Sequence, residues 1–120
     1  MTDQELLELA AKAAGLNVKA QSVNADDRWI GLIIGEKHTR EKKFWNPLTD
    51  DGDALRLAVK LRMDLLFDDK AIEVNATYHP NGETIFPWAW ESIEPDVYAA
   101  TRRAIVRAAA EIGKSMEALK

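Results

Sequence analysis

The chain has no cysteine, which excludes disulfide bonds, thiolate nucleophiles and zinc–thiolate sites. Its two histidines, His38 and His79, are not part of a zinc-binding spacing or a His-Glu motif. There is no apolar run of about 18 residues, so we expect no membrane span. A glycine-rich phosphate loop and a Gly-x-Ser-x-Gly element are also missing. The sequence therefore predicts no catalytic residues, no metal and no cofactor, and it favours a protein without enzymatic activity.

The composition is typical of one soluble globular domain, which we assign to residues 1–120. Hydrophobic residues make up 47% and charged residues 30%, which is enough of each for a core and a solvated surface. The acidic N-terminus lacks the basic-then-apolar order of a signal peptide, so we expect a cytoplasmic protein. The net charge of −4 makes nucleic-acid binding an unfavoured alternative. The charge is uneven, because residues 36–43 are locally basic whereas residues 81–96 contain four carboxylates and no Lys or Arg.

The spacing of apolar residues predicts the element order α-β(β)-α-β-β-α. This is an α+β domain, an α/β/α sandwich with a small three- to four-stranded, mainly antiparallel sheet. Thr2 and Glu5 form a capping box for the first helix, residues 3–14. The second helix, residues 51–66, is apolar over much of its circumference, which predicts packing on more than one side. The last helix begins near Pro95, and its core stripe is Val97, Thr101, Ala104, Ala108, Ile112 and Met116, with Ile105 and Leu119 beside it.

A hairpin is predicted around the turn at residues 79–82, where Pro, Asn and Gly occupy positions typical of a type I turn with a left-handed glycine. The register that this turn sets pairs Val74 with Trp88, and it favours a core position for both Trp88 and Trp90. Pro87 cannot donate a ladder hydrogen bond, so it indicates an edge strand or a bulge. A bulge at that point would move both tryptophans to the opposite face of the sheet.

Asp50, Asp51 and Asp53 permit two interpretations. Either Asp50 or Asp51 caps the second helix while the other carboxylates favour its positive end, or the three form a metal cluster. The second interpretation corresponds to a small metal-dependent hydrolase or nucleotide-handling enzyme that also uses His79. The spacing does not match a calcium-binding loop, and the capping interpretation is favoured.

Five residues are candidates for binding a partner. Trp45 follows a long polar segment and is the best candidate for partial exposure, with anchoring of that segment to the second helix as the alternative, since a hydrophobic residue before a cap often has this role. Trp88 and Trp90 are candidates because aromatic side chains dominate binding hot spots. Arg103 and Arg107 could bind a phosphate or an acidic partner, although pairing with carboxylates of the same helix or of the sheet is the favoured interpretation.

The motif Trp45-Asn46-Pro47-Leu48, the segment 50–58 that follows it and the segment 100–109 resemble the phage ABA-sandwich family. Residues 5–15 are similar as well. The resemblance implies an α/β/α sandwich encoded by a tailed phage or a prophage. It implies no established activity, so it provides no catalytic residues to carry over.

Together these patterns favour a phage- or prophage-encoded accessory protein that binds a host or phage protein in the cytoplasm of the bacterial host. One form of this hypothesis, taken from the viral context alone, is an inhibitor of a host defence system. The nucleic-acid alternative requires residues 36–43 to lie beside the arginines of the last helix. The sequence leaves the oligomeric state open.

Overall fold

A computed structural model describes residues 1–118, and the predicted position of Leu119 beside the core stripe therefore lies outside the described residues. Within this range the chain forms three α-helices and two three-stranded antiparallel sheets, which confirms the predicted α+β class. The elements are α1 Asp3–Ala13, β1 Asn17–Val23, β2 Trp29–Gly35, β3 Lys43–Trp45, α2 Asp51–Lys60, β4 Asp64–Phe67, β5 Ala71–Asn75, β6 Trp88–Ser92 and α3 Val97–Ala118.

The starts of the first two helices follow the predicted capping chemistry. The hydroxyl of Thr2 accepts a hydrogen bond from the backbone N–H of Glu5 at 3.1 Å. The carboxylate of Asp50 accepts one from the N–H of Asp53 at 2.7 Å. Each side chain satisfies a backbone donor that the first turn of a helix leaves without a partner. The predicted first helix and the capping interpretation of Asp50 are both confirmed.

The second helix is shorter than predicted. It ends at Lys60 and is followed by strand β4, so the prediction that residues 51–66 form one helix is wrong. The end is a Schellman motif in which Met63 N–H donates to the C=O of Ala58 at 2.9 Å. Arg62 occupies the left-handed position, with φ of 55°. Because glycine usually holds this position, the chain carries no conventional stop signal at this point.

Helix α2 packs on one side only. Leu55 is 62% exposed and Val59 is 57% exposed, so the prediction of packing on more than one side is wrong. The opposite side of α2 contributes Ala54, Leu57 and Ala58 to the core.

The first sheet has the order β1-β2-β3, and its first two strands form an antiparallel hairpin. The third strand lies in the segment predicted to be a long polar connection. In it, Trp45 pairs with Leu32 of β2. This pairing turns the connection into a second hairpin, and it fixes Trp45 against the core.

The second sheet has the order β4-β5-β6, and its register differs by one residue from the predicted one. Val74 pairs with Ala89, not with Trp88, and Asn75 pairs with Trp88. A shift of one residue moves every side chain of a strand to the other face of the sheet. The predicted core position of Trp88 and Trp90 is therefore wrong, whereas the predicted edge position of the strand that follows Pro87 is confirmed.

Packing against the last helix explains this register. Ala89 is 2% exposed and lies on the inner face of the sheet, against which α3 packs. A tryptophan at this position would hold the helix and the sheet apart, at the cost that overpacking a core carries. The turn between β5 and β6 accommodates this register, because the first pair of residues that flanks it is Tyr78 with Ile85.

Helices α1 and α3 pack closely together in the core. Gly113 lies so near to α1 that a Cβ atom added to it would be 2.7 Å from the carbonyl carbon of Leu9. The two helices therefore touch through their backbones at this point. The largest side chains that are fully buried in the domain are Leu7, Leu32, Pro47, Ile72, Val74 and Val106.

Candidate interaction surface

Three aromatic side chains lie in the edge strand β6 of the second sheet and just before it. Phe86 is 69% exposed, Trp88 is 60% exposed and Trp90 is 52% exposed. Pro87 and Ala89, which alternate with them, are buried. Since successive side chains of a strand point to opposite faces, the three aromatics share the outer face of the sheet. We refer to Phe86, Trp88 and Trp90 as the aromatic row.

The outer face next to the aromatic row is mainly polar and acidic, with Leu66 as an exposed apolar residue on it. Glu73 is the cross-strand neighbour of Trp90, and the strands β4 to β6 contain carboxylates but no Lys or Arg. The paired positions on this face form two rungs, Asp64–Asn75–Trp88 and Leu66–Glu73–Trp90.

The backbone of the aromatic row points away from the sheet. Ala76 N–H donates to the C=O of Pro87 at 2.9 Å, which identifies Pro87 as a residue whose backbone faces β5. In an antiparallel pair, residues alternate between facing the neighbouring strand and facing away from it. Phe86, Trp88 and Trp90 therefore present their N–H and C=O groups at the free edge of the sheet.

One of these edge groups has a partner on α3. Arg107 donates through Nη1 to the C=O of Trp90 at 2.9 Å, and it also binds the carboxylate of Glu91. Within residues 1–118, no hydrogen bond is made to the backbone groups of Phe86 and Trp88. At this edge, the C=O of Trp90 is therefore occupied, whereas the backbone groups of Phe86 and Trp88 can still form hydrogen bonds.

A groove of about 480 Å³ separates this open edge from α3. It provides space beside the unpaired backbone groups of β6. One wall is formed by Phe86, Pro87 and Trp88, and the other by Arg107, Glu111 and Ser115, while Met1 and Leu6 also line the groove.

The structure does not bring the five candidate binding residues together. Trp88, Trp90 and Arg107 meet at the edge of β6. Trp45 is only 4% exposed, so its predicted partial exposure is wrong: pairing of β3 with β2 holds its side chain inside. Arg103 lies elsewhere on α3, where it donates to Asp3 of α1 at 3.2 Å.

The two candidate arginines are engaged by carboxylates, and the favoured interpretation is confirmed for Arg107 but not for Arg103, whose partner lies on neither the same helix nor the sheet. Arg103 pairs with a carboxylate of α1, and Arg107 pairs with Glu91 of the sheet. Both ion pairs connect α3 to another element, so these arginines contribute to the fold.

The three aspartates lie at the start of α2. Asp50 caps the helix, and Asp51 pairs with Arg102 at 2.7 Å. Asp53 is 4% exposed and accepts a hydrogen bond from the N–H of Asn46 at 3.0 Å. Among residues 1–118, no group of three or more His, Asp or Glu side chains could hold a metal ion.

Asn46 connects this helix start to the first sheet. It is 3% exposed, and its side-chain amide donates to the C=O of Ile30 at 2.7 Å. Its side-chain oxygen accepts from the N–H of Leu48 at 2.9 Å. The polar groups of this buried side chain are therefore satisfied, and the motif around Trp45 is structural.

Sequence reasoning missed Phe86 and a second surface. An apolar groove of about 480 Å³ lies between α2, β4 and the first turns of α3. Its exposed side chains include Leu55, Phe67 and Tyr98. The alternation of aromatics at positions 86, 88 and 90 could have identified Phe86, but the predicted register placed this alternation inside the core.

None of the helices in residues 1–118 has the length and hydrophobicity needed to cross a membrane. Comparison of the chain with protein-family models, curated proteins and solved structures gives no match. Its membership of the phage ABA-sandwich family therefore stays a prediction.

Proposed function

We propose that this chain is a phage- or prophage-encoded accessory protein that binds a host or phage protein through the aromatic row. The observation that supports this proposal is the exposure of Phe86, Trp88 and Trp90 side by side along strand β6 and the segment just before it. Large aromatic side chains bury about 150–250 Å² each, so three that are more than half exposed present roughly 300–450 Å² of mainly apolar surface. Patches of this size often mark interaction sites.

Aromatic side chains are also where binding energy concentrates. Tryptophan is enriched among interface residues whose truncation costs about 2 kcal/mol or more. The row would supply about half of the roughly 800 Å² that one partner buries in a standard interface. The remainder would come from the polar rungs of the outer face.

The charge of this face favours a protein partner over a nucleic acid. Strands β4 to β6 contain Asp64, Glu73 and Glu91 and no cation, whereas phosphate binding requires clustered Lys and Arg. The arginines that the nucleic-acid alternative needs are paired with carboxylates.

The origin and location belong to the same proposal. The resemblance to the phage ABA-sandwich family supports a viral or prophage origin, and this origin places the protein in the bacterial cytoplasm. Inhibition of a host defence system is one form that the binding would take.

The test compares partner capture by three forms of the protein. Tagged wild type, a Trp88→Thr/Trp90→Thr double variant and a Phe67→Thr control are used to capture proteins from bacterial lysates, before and after infection by a tailed phage. Threonine keeps strand propensity, and Phe67 is an exposed aromatic on the opposite edge of the same sheet.

We expect a partner that is captured by the wild type and the control and lost with the double variant. Equal capture by all three forms would contradict the proposal, as would the absence of any specific partner. Circular dichroism and thermal melting of each variant establish that the fold is retained, because the substituted side chains are exposed.

A further inference from the structure

We propose that the partner binds by adding an extended, cationic segment to the free edge of β6 as a further strand. This inference rests on the proposed function and specifies its binding mode and the charge of the partner. It follows from three observations: the unpaired backbone of the edge, the groove beside it and the absence of cations from the sheet.

The edge of β6 has backbone groups that can pair with an added strand. Phe86 and Trp88 present two N–H and two C=O groups at the edge, and within residues 1–118 they have no partner. A strand lying at the usual spacing of about 4.8 Å could form hydrogen bonds with all four groups. Addition of a strand to an exposed sheet edge is a common mode of peptide recognition.

The groove provides the room that this strand needs. It lies between the edge and α3, beside Phe86 and Trp88. Alternate side chains of the added strand would enter the groove next to Glu111 and Ser115. The others would lie on the outer face as cross-strand neighbours of the aromatic row, with Cβ atoms about 4.5–5.5 Å apart.

The charge of the edge selects a cationic segment. Asp64 and Glu73 lie on the outer face, and strands β4 to β6 contain no Lys or Arg. The groove instead holds Arg107 and Met1 together with Glu111, so the charge selection acts on the side chains that lie on the outer face. Lys or Arg side chains on the outer face would also lie within cation–π range, about 6 Å, of the indole rings.

A second copy of this chain fits the edge less well. Pairing two β6 strands would bring two copies of the acidic segment 81–96 together, and like charges placed opposite each other destabilise a sheet. Each copy also carries a net charge of −4.

The added strand is short. Arg107 occupies the C=O of Trp90, so the open edge ends before this residue. The structure therefore predicts recognition of about three to five residues of an extended segment, since each hydrogen-bonded pair occupies two residues.

The first experiment selects binders without assuming a sequence. A library of random ten-residue peptides is displayed on yeast and selected against the wild-type protein. We expect enrichment of Lys and Arg at alternate positions, and protection of the Phe86 and Trp88 amides from hydrogen exchange when a selected peptide is bound. N-methylation of the peptide at alternate residues should weaken binding at least tenfold, because a methylated amide cannot donate a hydrogen bond.

The second experiment separates the backbone from the side chain. Trp88→Thr removes the indole and keeps the edge N–H, whereas Trp88→Pro removes both. Because the N–H of Trp88 points away from β5, proline leaves the ladder within the sheet intact. We expect the selected peptides to bind the proline variant roughly tenfold more weakly than the threonine variant, which is the factor for one hydrogen bond at an interface.

Several outcomes overturn the inference: no selected peptide, neutral or acidic peptides, footprints away from Phe86 and Trp88, or equal binding by the two variants. A dimer whose Phe86 and Trp88 amides are protected without peptide would show that a second copy occupies the edge. A partner could be captured from lysate by the wild type and lost with the Trp88→Thr/Trp90→Thr variant while the Phe86 and Trp88 amides stay unprotected. This result would support the proposed function and refute only the addition of a strand. If Trp88→Pro does not fold, the N-methylated peptides decide the question on the wild-type protein.

Discussion

The same substitution, glycine to alanine, should have opposite effects at two helical positions of this domain. At Gly113 an added Cβ would meet the backbone of α1, with the carbonyl carbon of Leu9 at 2.7 Å and its Cα at 3.1 Å. At Gly52 the nearest atom would be Nη2 of Arg56, at 3.1 Å. A backbone cannot rotate out of the way, whereas the Arg56 side chain is 62% exposed and can move into solvent.

The magnitudes follow from two terms. Alanine in place of glycine within a helix is favourable by about 1 kcal/mol. Overpacking a core costs about 1–3 kcal/mol, and at Gly113 we expect the upper value because the clash is with backbone. The free energy of unfolding should therefore fall by about 2 kcal/mol for Gly113→Ala and rise by up to about 1 kcal/mol for Gly52→Ala.

Thermal unfolding followed by circular dichroism measures both changes. An unfolding entropy of about 2.1 cal/mol/K per residue over 120 residues converts 1 kcal/mol into about 4 °C. We expect Gly113→Ala to melt about 8 °C below the wild type and Gly52→Ala up to about 4 °C above it. A Gly113→Ala protein that melts at or above the wild-type temperature would refute the close contact of α1 with α3.

Four further substitutions test the capping, the buried helix start and the core by urea unfolding. Asp53→Ala should lower the free energy of unfolding by about 2 kcal/mol, because it leaves the buried N–H of Asn46 without an acceptor. Asp51→Ala removes the ion pair between Arg102 and an exposed carboxylate, and it should lower the free energy of unfolding by less than about 1 kcal/mol. Equal losses for Asp53→Ala and Asp51→Ala would contradict the difference in burial of the two carboxylates. Thr2→Ala should cost about 1 kcal/mol through the lost cap of α1, and an unchanged midpoint would show that the cap does not stabilise the domain. Ile72→Ala should cost about 3 kcal/mol because this side chain is fully buried, and a loss below 1 kcal/mol would place it outside the core.

Local signals predicted most of the helices. The capping residues of α1 and α2 act on their own helix, so their effect is visible in a few neighbouring positions of the sequence. The end of α2 was missed because its left-handed position holds Arg62, which carries none of the usual signal of glycine.

The candidate surface could be predicted only in part, because it depends on packing between distant segments. The tryptophans of β6 were identified as binding candidates, but their face depends on Ala89 fitting against α3. The sequence of the turn at residues 79–82 contains no information about the packing of Ala89 against α3. Likewise, nothing local to Trp45 shows that its strand pairs with β2 and buries its side chain.

The close packing of α1 with α3 has a consequence for the order in which the domain can fold during its synthesis. The two ends are tied together by Leu9 against Gly113 and by an ion pair of Lys12 with Glu117 at 3.4 Å. The strands of each sheet are consecutive in the chain and can pair as soon as they are made. The first sheet contacts α1, which precedes it in the chain, whereas the second sheet packs mainly against α3. The nascent chain therefore exposes the apolar inner face of the second sheet until α3 has been translated. Folding of the core is therefore a late, cooperative step, and the nascent chain would need a chaperone most while the second sheet is complete and α3 is still missing.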